Sequence, residues 1–420
     1  MHEFRYVKDE LFCEDVRLSE LAEKYGTPLY VYSHGTLLDH YRKLKKAFAG
    51  VSPLICFSVK SNSSLSLLKT LVREGAGLDI VSGGELFRAQ KIKADPSKIV
   101  YASVGKTRQE VLAAIRCGIL YFNVESIQEL GVISDAAQEL GKDARVCVRV
   151  NPNIDPHTHA YITTGTVESK FGVDLETARI IFLNSSRFKR VRVEGIHVHI
   201  GSQITQSAPF VAALKRILRF MDDLKRIGVP VRTLNIGGGL GIIYKEEKPQ
   251  TAREYADQIL PLLKGRKLKL ILEPGRFIVG NAGVLLTRVL YLKETDKKRF
   301  IIVDAGMNDL ARPSLYGAYH QIHPVVGSPA AAASGSKNSD IVGPICESGD
   351  FLAKDRPMPV VNPGDCLAVL GAGAYGFSMA SNYNSRRRPA EVLVKGKNAY
   401  LIRERETYDD LLRNEKVVVL

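Results

Sequence analysis

The chain reads as an α/β protein: a (β/α)8 TIM barrel over residues 31–280, followed by a mainly antiparallel β-barrel or sandwich domain over 281–420. Three observations carry that expectation. Between residues 31 and 280, apolar strand-like runs alternate with helical stretches, and eight such runs can be counted. The runs are continuously apolar rather than alternating, as strands buried on both faces require. Beyond residue 280, strand-like runs are separated by Gly and Pro turns instead of helices.

Residues 1–30 form a prelude that is expected to join the C-terminal β domain. Its segment 10–16 reads as a strand. Leu18, Leu21 and Tyr25 at helical spacing, with Gly26 behind them, read as a short amphipathic helix ended by Thr27-Pro28. The eight barrel runs are 54–60, 78–82, 99–104, 121–124, 145–150, 193–200, 233–236 and 270–272. Helical stretches at 64–74, 84–91, 107–117 and 210–228 separate several of them. A doubly wound open sheet could give the same count, but its glycine fingerprint belongs after the first strand. Here a lysine stands there. In the β domain the runs are 284–291, 300–303 and 366–370, with a hairpin over 391–402, and 330–339 reads as a loop.

The composition fits a soluble globular enzyme: 45% hydrophobic and 25% charged residues among 420. The N-terminus carries no apolar signal region, and no run reaches membrane-spanning length, so a cytoplasmic location with no membrane partner is expected. None of the six cysteines forms a Cys-x-x-Cys pair. The formal charge of +14 suits anionic ligands. Its basic residues are scattered apart from Arg386-Arg387-Arg388, and no nucleic-acid motif accompanies them, so a solvated basic surface is expected.

In such a barrel, chemistry sits at the C-terminal strand ends. The first run ends in Lys60 and Asn62, within Phe57-Ser58-Val59-Lys60-Ser61-Asn62. A lysine there could react with a carbonyl if burial lowered its pKa, or could simply snorkel outward. The seventh run ends in Gly237-Gly238-Gly239 and the eighth in Glu273-Pro274-Gly275-Arg276, where barrels often hold a phosphate. His197 and His199, two apart on a strand, both point inward. They could bind a metal, or one could lie against a planar ring while the other is a core histidine. Glu273 could pair with Arg276, or could keep a pyridine nitrogen protonated. A lysine for an aldehyde, a glycine cradle for a phosphate and a carboxylate for a pyridinium together describe pyridoxal 5'-phosphate.

On these residues the chain resembles the diaminopimelate decarboxylases, within the alanine-racemase-like, barrel-type pyridoxal-phosphate enzymes. The likeness runs nearly end to end. It includes Ser169-Lys170-Phe171-Gly172, His199-Ile200-Gly201-Ser202-Gln203, Arg312-Pro313-Ser314-Leu315-Tyr316, Cys346-Glu347-Ser348-Gly349-Asp350 and Gly373-Ala374-Tyr375-Gly376. It departs at Ser58 and Ser61, where alanine is common, and at Ser314. The resemblance implies that Lys60 links to the cofactor aldehyde and His199 stacks on its ring. It places Ser202, Gly238, Gly239, Gly275, Arg276 and Tyr375 around the cofactor and Glu273 at its ring nitrogen. Arg276, Arg312, Tyr316, Glu347 and Tyr375 would hold the substrate. Cys346 would be the general acid, reaching the site of a partner subunit in a homodimer. The implied reaction converts meso-2,6-diaminoheptanedioate (meso-diaminopimelate) to L-lysine and carbon dioxide, the last step of lysine biosynthesis.

Four other readings stand beside it, one of them a non-catalytic pyridoxal-phosphate carrier that keeps the fold, against which Lys60, Cys346 and Tyr375 together argue. A sister decarboxylase would act on ornithine, arginine or carboxynorspermidine, but Arg312 and Glu347 favour a charged distal amino-acid head. A racemase of this fold would place an arginine where this chain has Glu273. A metal-dependent barrel hydrolase would use His197 and His199.

Overall fold

The computed structural model describes residues 2–155, 164–165, 170–327 and 336–420. They fall into two compact units. One holds residues up to Asp39, Ile243–Glu246 and Val279–Leu420; the other holds His40–Ile242 and Glu247–Ile278.

The second unit is a closed barrel of eight strands, all paired in parallel. In chain order they are Leu54–Ser58, Gly77–Ile80, Ile99–Ala102, Tyr121–Val124, Ala144–Arg149, Val191–His197, Thr233–Asn235 and Lys269–Leu272. The last closes on the first with Ile271 opposite Leu54 and Leu272 opposite Ile55. Inward side chains such as Cys56, Val100, Tyr121, Cys147 and Ile271 fill the base as a packed core. Local chemistry sets the helix starts. The helix Arg108–Cys117 opens on a reciprocal capping box between Thr107 and Glu110, and Ala252–Leu263 on one between Thr251 and Glu254.

Six of the eight strands end one to three residues short of the sequence expectation, and two of those ends bear on candidate residues. The first strand stops at Ser58, and Lys60 sits in the single 3-10 turn Val59–Ser61. The Ser61 hydroxyl donates to the Ser58 carbonyl (2.7 Å), and Asn62 Oδ1 accepts the Ser64 N–H (3.0 Å). These local bonds compete with the ladder and end it. The sixth strand stops at His197, so His199 lies past its end instead of pointing inward from it.

The first unit is built on a nine-stranded sheet. Its longest strand, Gly283–Glu294, pairs antiparallel with Leu29–Ser33, Cys366–Val369 and Arg299–Val303 along successive stretches. Most pairings are antiparallel, but Ala390–Lys395 runs parallel to Leu29–Ser33 and Arg299–Val303 parallel to Lys337–Val342. The N-terminal segment forms strands Phe4–Val7, Glu10–Cys13 and Val16–Arg17 and helix Leu18–Tyr25. Its Phe4, Leu11, Leu18 and Leu21 share one apolar core with Val284, Leu286, Ala368 and Val392. Residues 31–39 therefore belong here and not to the barrel, because Leu29–Ser33 is held by ladders on both sides. Of the loop expected at 330–339, residues 330–335 lie outside the described residues, and Lys337–Val342 is a strand. Among the described residues no helix is long and apolar enough to cross a membrane.

Candidate active site

The mouth of the barrel gathers polar side chains contributed one or two at a time by successive strands. Lys60 Nζ lies 3.3 Å from Asp79 Oδ2, and its side chain is 37% exposed. Asp79 is fully buried on the second strand, and its Oδ2 also accepts the Ser58 hydroxyl at 2.7 Å. Burial, then the Glu273 charge, raise the Asp79 carboxyl above its ordinary value, and Lys60, the Ser58 hydrogen bond and His197 offset this only in part.

Glu273 follows the eighth strand and is buried. Its Oε1 accepts the side-chain amides of Asn123 (3.0 Å) and Asn235 (2.6 Å), and its Oε2 accepts His197 Nε2 at 3.0 Å. Burial alone would raise this carboxyl. His197, Lys60 and Asn235 outweigh it and bring Glu273 below the ordinary carboxylate range. An ionised carboxylate is the state that keeps a pyridine nitrogen protonated. His197 is thus a residue that holds Glu273.

His199 Nδ1 accepts the Gly238 N–H at 3.2 Å, which leaves the ring proton on Nε2. Burial, then the Lys60 and Arg149 charges, pull this imidazole well below its usual range, so it is a neutral flat ring. The loops after strands six, seven and eight touch backbone to backbone. A Cβ on Gly238 would lie 2.1 Å from the Glu273 carbonyl oxygen. Gly239, at φ +110°, would put one 2.6 Å from the Gly201 carbonyl oxygen. Arg276 Nη2 donates to Ser202 Oγ at 3.2 Å, and Gly275 packs on Ser58 and Ser61. Phe171-Gly172 is tied in as well. Glu125 accepts Arg149 Nη1 and the Gly172 N–H, both at 2.9 Å, and Arg149 lies over the Phe171 ring at 4.6 Å. Ser169 lies outside the described residues.

Lys60, His199, Ser202, Gly238, Gly239, Glu273, Gly275 and Arg276 are therefore brought together at one barrel mouth. They fit pyridoxal phosphate: an amine for the aldehyde, a neutral ring, an ionised carboxylate, and loops that only glycine permits. Asp79, Asn123 and Asn235 went unread in the sequence. Their signal was a lone polar residue inside an apolar run.

The other expected residues belong to the β unit. Arg312 is buried at the start of helix Arg312–Tyr316, with Tyr316 half-buried at its end. Its guanidinium lies 5.0 Å from the Tyr244 ring centre, and its Nε donates to His320 Nε2 at 3.3 Å. Cys346 and Glu347 are exposed on a loop. Asp350 organises that loop by accepting the N–H groups of Ile345 and Met307, each at 2.6 Å. The Cys346 N–H donates to Asn384 Oδ1 (2.7 Å), and Glu347 accepts the Tyr383 hydroxyl (2.8 Å). Ser314 Oγ donates to the Gly349 carbonyl at 2.6 Å, tying the helix to this loop. Tyr375 is half-buried at φ +55°.

Residues 34–280 match the pyridoxal binding domain of the pyridoxal-dependent decarboxylases. Diaminopimelate decarboxylase of Aquifex aeolicus is 51% identical over 405 residues, covering 96% of this chain and 95% of the relative. The Pseudomonas aeruginosa enzyme of that name is 49% identical over the whole of both chains. The crystal structure of diaminopimelate decarboxylase from Helicobacter pylori complexed with L-lysine superposes with a TM-score of 0.90 at 42% identity, covering 94% of this chain and 98% of that one. With the barrel-mouth geometry, these likenesses mean that the chain belongs to the diaminopimelate decarboxylase family of pyridoxal-dependent decarboxylases.

Proposed function

We propose that this protein removes carbon dioxide from meso-diaminopimelate to give L-lysine, closing lysine biosynthesis in the cytoplasm as a homodimer with shared active sites. The observation that carries the reading is the barrel-mouth group of Lys60, neutral His199 and ionised Glu273 around the glycine loops, in a chain about half identical to relatives of that name.

Pyridoxal phosphate supplies a sink for the electron pair left when carbon dioxide departs. Lys60, Ser202, Gly238, Gly239, Gly275, Arg276 and Tyr375 are the residues that would hold it. Glu273 would keep a proton on the ring nitrogen of the bound cofactor, because Asn123, Asn235 and His197 hold its own carboxylate ionised. Asp79 receives the Lys60 ammonium whenever that amine is not engaged. Arg312, Tyr316 and Glu347 hold the distal amino-acid head, which sets the orientation of the bond to be broken. Cys346 Sγ then delivers a proton to the substrate Cα. Its exposed place on a loop supports service to a partner's site.

Purified protein incubated with meso-diaminopimelate and pyridoxal phosphate is expected to release carbon dioxide and L-lysine in equal amounts. The Lys60→Ala variant is expected to lose both turnover and the visible absorption of lysine-bound cofactor. Absence of product at every pH tested would end the proposal.

A further inference from the structure

His320 lies four residues beyond helix Arg312–Tyr316 and is fully buried. Its Nδ1 is 2.9 Å from the Leu370 carbonyl oxygen, and its Nε2 is 3.3 Å from Arg312 Nε. A carbonyl oxygen only accepts, so Nδ1 carries the ring proton. An arginine Nε–H only donates, so Nε2 offers a lone pair. The two contacts together specify one tautomer of a neutral imidazole. The Tyr244 ring braces both partners: its centre is 5.2 Å from that of His320, edge-on at 76°, and 5.0 Å from the Arg312 guanidinium carbon. From the strand Phe351–Met358, Arg356 Nη1 donates to the His320 backbone carbonyl at 2.7 Å and lies over the Tyr319 ring. Lys245 also lies over the Tyr319 ring, 5.6 Å from its centre.

We propose that His320 is the positioning residue for Arg312, a neutral acceptor that sets the plane of the guanidinium and thereby the angle at which it meets a substrate carboxylate. The inference rests on the reading that Arg312 binds the distal head of the substrate. Bidentate carboxylate recognition depends on the plane of the fork, and a guanidinium fixed at Nε cannot rotate out of that plane. Among the described residues, Arg312 and Tyr244 face the imidazole, Arg356 holds the His320 backbone carbonyl, and Lys245 lies over the ring of the adjoining Tyr319. The charged ones among these are cations. Protonation of His320 would therefore turn Nε2 into a donor facing a donor and add a positive charge among positive charges. Arg312 would be driven out of register as pH falls, and substrate binding would weaken while the chemical step, carried by other residues, would not.

Steady-state kinetics of the holoenzyme on meso-diaminopimelate across pH test this, with wild type, His320→Leu, His320→Gln and Arg312→Gln compared. In wild type, KM is expected to rise on the acid side while kcat holds. His320→Leu removes the acceptor and is expected to raise KM at least about tenfold at all pH, with kcat within about twofold. His320→Gln offers Arg312 an oxygen that does not titrate, and is expected to keep KM near wild type and to abolish its acid rise. An unchanged KM in His320→Leu, or a persistent acid rise in His320→Gln, overturns the inference. If His320→Leu does not fold, the His320→Gln profile alone decides. Arg312→Gln separates the two layers: an unchanged KM there removes the substrate-binding reading, whereas a raised KM beside a neutral His320→Leu removes only the role of His320.

Discussion

Asp79, Glu85 and Glu273 are carboxyl groups of one barrel, and their neighbours drive them in different directions. Glu273 is held ionised by His197, Lys60 and Asn235 against its own burial. Glu85 is pushed up to about 7, first by burial and also by the Asp79 charge, against the Val81 N–H bond, Lys60 and Arg88. Such a group binds a proton in the folded state that it has lost in the unfolded chain. Between an ordinary glutamate value of about 4.3 and its raised value, the unfolded state holds fewer protons, so stability falls as pH rises through that window. The contribution present below the window and lost above it is on the order of 3 kcal/mol. Glu85→Gln is expected to flatten the decline in stability between about pH 4.5 and 7, read by urea denaturation at a series of pH values. An unaltered slope would assign the decline to other groups such as Asp79. At this scale the sequence showed which residues stand at strand ends, but not their charge states. Those depend on partners such as Asn123 and Asn235, which are over 60 residues from Lys60 in sequence.

The elements of the barrel serve two separate purposes, and substitutions can tell them apart. The Thr107 hydroxyl bonds to Glu110 at its own helix start, at 2.9 Å. Thr107→Ala is expected to cost about 1 kcal/mol of stability and to leave cofactor affinity unchanged. Gly238 is different, because its loop lies in van der Waals contact with the backbone of the loop after strand eight. Gly238→Ala must push the Glu273 carbonyl away, costing about 1–3 kcal/mol and weakening cofactor retention at least about tenfold. Urea melts and cofactor titration by visible absorbance, run side by side, check the pair; equal losses of cofactor affinity in both variants would refute the distinction. All eight barrel strands were legible as apolar runs, and each observed strand overlaps its expected range. Their ends were less legible. Polar residues such as Ser61 and His199 follow the same hydrophobic trend in sequence but make local or loop contacts in the fold.

For the whole molecule, the proposed homodimer with shared sites makes a sharp kinetic demand. Lys60→Ala and Cys346→Ala disable different components. If Cys346 serves the partner's Lys60 site, a mixed dimer carries both lesions in one site and neither in the other. Dissociating and reassociating equal amounts of the two inactive variants is then expected to restore about a quarter of wild-type activity. Each variant alone stays inactive in the same assay. Failure to recover activity in dimers proven to be mixed would place Cys346 and Lys60 of one chain in the same site.

Periodicity and motif determined much here by themselves. Continuous apolar runs alternating with helical stretches fit an all-parallel barrel or sheet, and the lysine after the first run, the triple glycine and the Glu-Pro-Gly-Arg stretch marked its mouth. The tertiary structure decided the rest. It put the N-terminal segment into the β-unit core, because Leu29–Ser33 is flanked by strands from residues 283–286 and 390–394. It also gave Lys60 a buried counter-charge in Asp79, assigned His197 to Glu273, and left His199 neutral against Gly238. The physical reason is the same in each case. Burial and hydrogen bonding act through space, so the protonation state of a side chain is set by residues that sequence proximity does not reveal.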